Sequence, residues 1–544
     1  MISSWLLVRK QAQAESRALT KLVAIAHWGI TLNLTVAIAA CLLFWHNHSL
    51  NSDLRGIPGP KSYASTRWRL AWDAWHAQMV HTIHHLHHNY GPVVRIAPKE
   101  VSFSSLTALR TIYGAGSGFE RTKFYRMFDV YGRSNLFTFG PVKDHRERKK
   151  LLSHIYSNQT VLGSYSSKLV QGKVAAYLEM LEGAPKDACE IFSSLHYFAF
   201  DTISEFVYGP SHGGTQSLSA SSSDRALLDD ILHPSRRRLA WFAVHLPKYT
   251  KWVTSQIGPM ENLVNALGFI PMKKPFVYSG IRDHALKAFY SVKAASSDTK
   301  GNLAGSTVIG KLFECQKEQG LADMDIASEC ADHLLAGIDT TSDSSMFLIW
   351  ALSLPQNRSY QEKLRKELSV IAVDEREVPV PREVSQLPYL NAVIKETLRL
   401  YAPLPTFEPR SSPIDTIIDG YHIPAGTTVG MSPYCLHRDP TIFPDPLKFD
   451  PGRWLTDKAS LIPESAPQNR WFWAFSSGGR MCIGMHLANA EMTTLAAAIF
   501  RRYRISARRP DTSPGITSRF EIFFDETMPK MVEHECWIDF ERVS

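Results

Sequence analysis

Between Leu22 and Trp45 almost every position is apolar, and polar residues resume at His46. These 24 residues predict a helix of roughly 36 Å, enough to cross a hydrocarbon core of about 30 Å. We read the segment as a single-pass membrane anchor whose costly positions are His27 and Asn33 and whose last residue, Trp45, suits an interface. Arg9, Lys10, Arg17 and Lys21 before it balance Arg55, Lys61, Arg67 and Arg69 after it, so charge does not orient it. Pro58-Gly59-Pro60 cannot continue a helix and separates anchor from body. The chain thus divides into a tail at 1–21, an anchor at 22–45, a linker at 46–60 and one large domain at 61–544.

Past the linker the hydrophobic period changes. A helical stretch with His76, His81, His84, His85, His87 and His88 puts His81, His84, His85 and His88 on one face. No acid or cysteine lies near enough in sequence to complete a metal shell, so the face reads as solvated surface. Val93–Ile96 and Val101–Phe103 around a Pro-containing turn predict a short hairpin, and Ile417 to Ile423 around Asp419-Gly420 gives a second strand-and-turn signal. Ser211 to Asp224, rich in Ser and Gly, reads as a mobile surface loop. From Ile326 to Leu354 apolar positions recur at helical spacing until Pro355, predicting one helix of roughly 43 Å that crosses the domain. The fold class is mainly α with small β-sheets, a single large domain behind a transmembrane helix.

Composition narrows the function. Hydrophobic residues make up 44% and charged residues 21% of the 544, which excludes a disordered chain. The net charge of +8 is spread along the chain without a nucleic-acid-binding motif, which argues against a nucleic-acid partner. Seven cysteines, an odd number without any C-x-x-C pair, imply neither a disulfide framework nor a zinc site and fit a reducing compartment.

One cysteine stands out by its surroundings. Phe475-Ser476-Ser477-Gly478-Gly479-Arg480-Met481-Cys482-Ile483-Gly484 leads into a helical run from Met485 to Tyr503. Cys482 therefore sits at a helix start, where free N–H groups and the helix dipole lower a thiol pKa and favour a metal-ligating thiolate. Gly478 and Gly484 let the backbone approach a flat cofactor, and Arg480 can meet an acidic group on it. A buried haem requires this arrangement, and average residue usage produces F-x-x-G-x-R-x-C-x-G by chance in about one chain in ten thousand of this size.

The loop resembles the haem-ligand loop of the cytochrome P450 family, and further motifs agree in family order over nearly the whole chain after residue 55. The resemblance implies that Cys482 is the axial iron ligand, within a haem site shaped by Phe475, Gly478, Arg480 and Gly484. It implies a structural cluster of Glu396 and Arg399, three apart on one helix, with Arg453 of Phe449-Asp450-Pro451-Gly452-Arg453-Trp454. Ala336-Gly337-Ile338-Asp339-Thr340-Thr341 on the long helix resembles the oxygen-activation motif. Thr340 and Asp339 are then the catalytic residues that deliver protons, and Gly337 lets a distorted turn pass over the haem. Arg410 matches the propionate-binding arginine, with Arg480 as the second. Where the family often has Trp-x-x-x-Arg, this chain has His145 and Lys149, a hydrogen-bond donor and a point charge without the arginine fork. Arg146, Arg148 and Lys150 on the same helix are a basic face for an acidic electron donor. Pocket walls are expected at Phe124, Ala336, Leu404, Phe407 and Thr527.

The implied activity is insertion of one oxygen atom of O₂ into a lipophilic small molecule, with haem b as cofactor. No flavin or nicotinamide module is visible, so electrons are expected from NADPH through a separate NADPH-cytochrome P450 reductase, with cytochrome b5 as a further donor. The motif style resembles filamentous-fungal members that tailor polyketides, terpenes or alkaloids. By resemblance to microsomal members, the protein is placed in the endoplasmic reticulum membrane with its catalytic domain in the cytosol. Two alternatives stand beside this reading: a haem-thiolate isomerase or dehydratase that needs no O₂, and a non-enzymatic membrane haem-binding protein.

Overall fold

The computed structural model describes residues 28–45, 52–183, 188–232, 236–255, 258–268, 279–298, 306–518 and 521–543. The apolar run emerges as helix α1, Trp28–Trp45, with a mean hydropathy of 1.8 and no residue buried against the protein. Its 18 residues reach about 27 Å, close to a hydrocarbon core. The first part of the expected anchor, 22–27, and the tail lie outside the described residues.

Six further helices position the site: α2 Met79–Tyr90, α3 Val142–Leu152, α4 Ile191–Tyr208, α5 Asp323–Ser353, α6 Pro388–Leu400 and α7 Met485–Arg502. The period from Ile326 is realised as α5, whose 31 residues span about 46 Å. Asp325 starts it by accepting from the Ala322 N–H at 3.1 Å, and acids in the first turn complement the helix dipole. Its second half is buried almost all round, as a helix crossing a domain must be. There Phe347 stacks on Tyr401 at 4.6 Å, and Trp350 donates to the Thr512 carbonyl at 3.1 Å.

The five-stranded sheet contains β1 Val93–Ala97, β2 Glu100–Phe103, β3 Glu120–Arg121, β4 Arg410–Ser411 and β5 Thr428–Gly430, in the order β1-β2-β5-β4-β3. The expected hairpins form: β1 and β2 pair Val93 with Phe103, and Thr416–Ile418 pairs with Tyr421–Ile423. The β3–β4 register sets Arg121 opposite Arg410. Like charges directly opposite each other are destabilising unless something answers them.

Two surface readings are corrected. The 211–224 segment is pinned: the buried Asp201 carboxylate of α4 accepts from Thr215 Oγ1 at 2.7 Å and from the N–H groups of Ser217 and Leu218 at 2.9 Å each. Small residues serve close packing here, since a Cβ on Gly213 would lie 2.5 Å from Tyr208 Cβ. The histidine face of α2 is not simply solvated. His81 and His84 pack edge-on to Tyr434, and His87 is buried with Nε2 2.8 Å from Ser102 Oγ, while His85 and His88 are exposed.

Candidate active site

The Cys482 loop is closed by its own backbone. The Cys482 N–H donates to the Phe475 carbonyl at 2.9 Å, and Gly484 is the N-cap of α7. Gly478 has φ +61°, and a Cβ there would lie 2.3 Å from the Tyr113 carbonyl oxygen and 2.6 Å from the Gly114 carbonyl carbon. Strain and clash thus coincide at this position. Gly478→Ala should lower stability by at least about 1–3 kcal/mol and displace the loop. Thermal unfolding with haem content as a second readout checks this, and an unchanged melting temperature would count against it.

Cys482 lines a cavity of about 260 Å³. Ala336, Gly337, Thr340 and Thr341 of α5 line the same cavity, together with Leu404 and Phe475. Cys482 has accessible surface, but that surface is cavity wall inside the protein. Burial pushes the thiol up; the Gly484 N–H, Lys149 and the Met485 N–H oppose it without prevailing. The expected lowering by the helix start is therefore reversed here, because desolvation of a bare anion outweighs two amides. A cation bound at Sγ restores the thiolate.

At one edge of the cavity stands a group of bases: Arg121, His145, Lys149, Arg410 and Arg480. Four of them, all but Arg121, also line an adjoining cleft of about 430 Å³. Arg480 donates to the Phe139 and Gly140 carbonyls at 2.6 Å each, and Arg121 to those of Leu136 at 2.9 Å and Phe137 at 2.5 Å. Lys149 Nζ donates to the Gly479 and Met481 carbonyls at 3.0 and 2.8 Å, clamping the cysteine loop to α3. Arg410 donates to Tyr125 Oη at 2.6 Å, and Tyr125 donates to Glu408 at 2.8 Å. Burial and mutual repulsion bring Arg480 down to about 9 and Arg121 to about 10, while burial beside Arg480 and Arg121 pushes His145 far down. Such a cluster calls for an anionic occupant. A dianionic, flat, metal-bearing group fits this donor set: a soft thiolate for the metal, a glycine-shaped backbone, and cations for carboxylates. Haem b is such a group.

Behind the loop, Glu396 is fully buried and saturated. Its carboxylate accepts from Arg399 Nε and Nη2 at 2.8 Å each, from Arg453 Nε at 3.0 Å, from Trp454 Nε1 at 2.9 Å and from the Asp450 N–H at 2.9 Å. Arg399 spends its remaining donors on the carbonyls of His437, Pro446 and Lys448. The expected triad therefore meets, as a pentad.

Of the remaining expected residues, Ala336, Leu404, Phe475 and Gly484 line the cavity, as does Thr340, whose hydroxyl donates to the Ala336 carbonyl at 3.0 Å. Asp339 turns away toward α4, its Oδ1 3.8 Å from His196 Nε2. Three pocket residues are corrected. Phe124 and Phe407 join the apolar cluster of Tyr63, Leu70 and Ile83, and Thr527 Oγ1 donates to Asp525 at 2.6 Å in a turn. Gly337 is corrected too: α5 runs unbroken through it, and a Cβ would lie 2.5 Å from Ile203 Cγ1, so its missing side chain admits α4. Sequence reading missed Arg121, Tyr125 and Trp454. Arg121 lies in a two-residue strand with no motif of its own, so only the sheet register reveals it.

An α-rich fold presenting one cysteine on a glycine loop beneath a long helix defines a haem-thiolate protein. A family model described as Cytochrome P450 matches residues 58–527, and the chain belongs to that family. It is similar to cytochrome P450 monooxygenase stcB of Emericella nidulans, 32% identical over 84% of this chain and 83% of the relative. It is also similar to a pisatin demethylase of Fusarium vanettenii, 28% identical over 91% and 92% of the two chains. Benzoate 4-monooxygenase bphA of Aspergillus niger is 26% identical over 89% and 93%. The chain is accordingly a monooxygenase, not a haem-thiolate isomerase, dehydratase or haem-binding scaffold.

Proposed function

We propose that this protein is a membrane-anchored monooxygenase that inserts one oxygen atom of O₂ into a lipophilic small molecule of fungal secondary metabolism. Electrons come from NADPH through a separate flavoprotein reductase, with cytochrome b5 as a further donor. The observation that carries this reading is that Cys482 and Thr340 line one cavity together with five basic side chains. Haem bound there supplies the reductive activation of O₂ and the oxygen transfer.

The chain's own residues divide the remaining work. Cys482 would hold the iron of the cofactor through its thiolate, its loop being kept in place by the Phe475 carbonyl and by Lys149 on the loop's carbonyls. Arg121, Arg410, Arg480 and His145, which line the cavity edge, would hold the carboxylates of the cofactor. The Thr340 hydroxyl keeps a proton on the cavity side of α5, anchored at the Ala336 carbonyl, and Asp339 beside His196 resupplies it from the α4 side. Apolar walls exclude water and admit the lipophilic substrate. Relatives named for pisatin and for benzoate support a small organic substrate.

The membrane reading is supported beyond α1. Trp68, Trp72 and Trp75 are exposed on the helix Trp68–Trp75, which packs against Arg236–His245 through Trp241 donating to the Ala71 carbonyl at 2.9 Å. Trp252, Leu263 and Leu267 are exposed on the elements that follow. These exposed apolar side chains suit a body that rests on a membrane, for which we propose the endoplasmic reticulum, with the catalytic domain in the cytosol.

The test begins with dithionite reduction and carbon monoxide, where a strongly red-shifted Soret band is expected. Thr340→Ala should keep that band and NADPH consumption while product per NADPH falls at least about tenfold, the lower side of what a positioned proton donor contributes. The lost reducing equivalents should appear as peroxide or water. A Thr340→Ala protein coupled as tightly as wild type would remove Thr340 from the mechanism.

A further inference from the structure

On α5, one turn before Ala336, a carboxyl group that this mechanism does not use faces the cavity. Asp332, Ala336 and Thr340 all line that cavity, and spacings of four place them in one row along the helix. Leu136, Phe137 and Ile203 of α4 contribute apolar surface to the same cavity lining. The nearby Phe137 N–H donates to Asn135 Oδ1 at 3.1 Å, and among the described residues no cation stands within ion-pair distance of Asp332. Arg121 and His333 act on it through space alone. Neither forms an ion pair with it: Arg121 Nη1 donates to the Leu136 and Phe137 carbonyls, and His333 meets Tyr156 Oη at 2.7 Å and Glu329 at 3.3 Å.

The neighbouring acid shows the contrast. Glu329, one turn away along α5, is fully buried and answered by Arg148 at 2.5 Å and by the Leu136 N–H at 3.0 Å. Asp332 has no such answer, and burial pushes it up to about 7. A purely hydrocarbon ligand would seal this carboxyl away from water, at a cost. A ligand that brings a donor turns the same cost into discrimination, because a site built to bond a polar group rejects the analogue lacking it.

We propose that Asp332 selects the substrate, accepting a hydrogen bond from a hydroxyl or amine group on an otherwise apolar molecule. This rests on the monooxygenase reading above, which makes the cavity the substrate's. At about 1.5 Å per residue, Asp332 lies roughly 12 Å along the helix axis from Thr340. The donor and the bond attacked are therefore separated by on the order of 10 Å, the length of two or three fused rings.

Spin-state titration of the full-length holoenzyme with methylphenanthrene, phenanthrol and dimethylaminomethylphenanthrene tests this. Wild type should bind the phenol or the amine about 10- to 100-fold more tightly than the hydrocarbon. The preferred member identifies the donor. Asp332→Leu should bring all three within about threefold of one another. Asp332→Asn should keep part of a phenol preference and lose an amine preference, and it serves as the isosteric variant if Asp332→Leu does not fold. Three equal affinities in wild type, or an unchanged ranking in both variants, overturns the proposal and leaves Asp332 without a part in ligand selection. A wild-type protein without the red-shifted carbon monoxide band overturns the monooxygenase reading first, and this inference with it.

Discussion

Glu396→Ala should yield protein that neither folds cooperatively nor retains haem. The side chains of Glu396 and Arg399 are 0% exposed and that of Arg453 9%, so removing the carboxylate strands two guanidinium groups away from water. Breaking a buried pair costs about 3–5 kcal/mol, and here the Trp454 and Asp450 N–H groups lose their acceptor as well. Against a total stability of about 5–15 kcal/mol, that loss is a large fraction of the whole. Urea unfolding and the haem-to-protein ratio measure it. Arg453→Lys should cost less, since an ammonium can keep the charge while losing the fork that also reaches the Pro444 carbonyl at 3.0 Å. A Glu396→Ala protein with the wild-type urea midpoint would show that the cluster is dispensable.

Cys482→Ser should remove the red-shifted carbon monoxide band and product formation together, while the fold persists. Serine keeps the small side chain and leaves the loop's hydrogen bond from the residue 482 N–H to the Phe475 carbonyl intact. A hydroxyl is a much harder and more basic ligand than a thiol, so the electron push of a thiolate is lost. The activity loss should exceed the roughly 10–100-fold that changes beside a metal ligand cause. Circular dichroism separates this from misfolding. A serine variant that retains both band and turnover would mean that another residue holds the iron, and among the described cysteines none besides Cys482 lines the cavity.

The two variants probe different levels of the molecule, and they differ in how legible they were. Cys482, Glu396, Arg399, Arg453 and Thr340 were readable because each sits in a local pattern whose chemistry depends on neighbours a few residues away. Arg121 was not, since its role arises when a two-residue strand pairs with one almost 300 positions later. Phe124 and Phe407 looked like pocket walls for the opposite reason: an aromatic side chain reads alike whether it lines a cavity or fills a core. Asp332 and Asp339 are both acids of α5, yet one faces the cavity and the other faces His196.

The sequence by itself determined the family, the long helix, the hairpins, the cysteine at a helix start and the apolar run that becomes α1. These depend on period, capping and motif, interactions that act within a few residues. Only the tertiary structure decided which cations share one cavity, that burial outweighs the helix start at the Cys482 thiol, that Gly337 admits Ile203, and that Asp201 holds the 211–224 segment. Those outcomes depend on desolvation and contact between segments far apart in the chain, and no local pattern records either quantity.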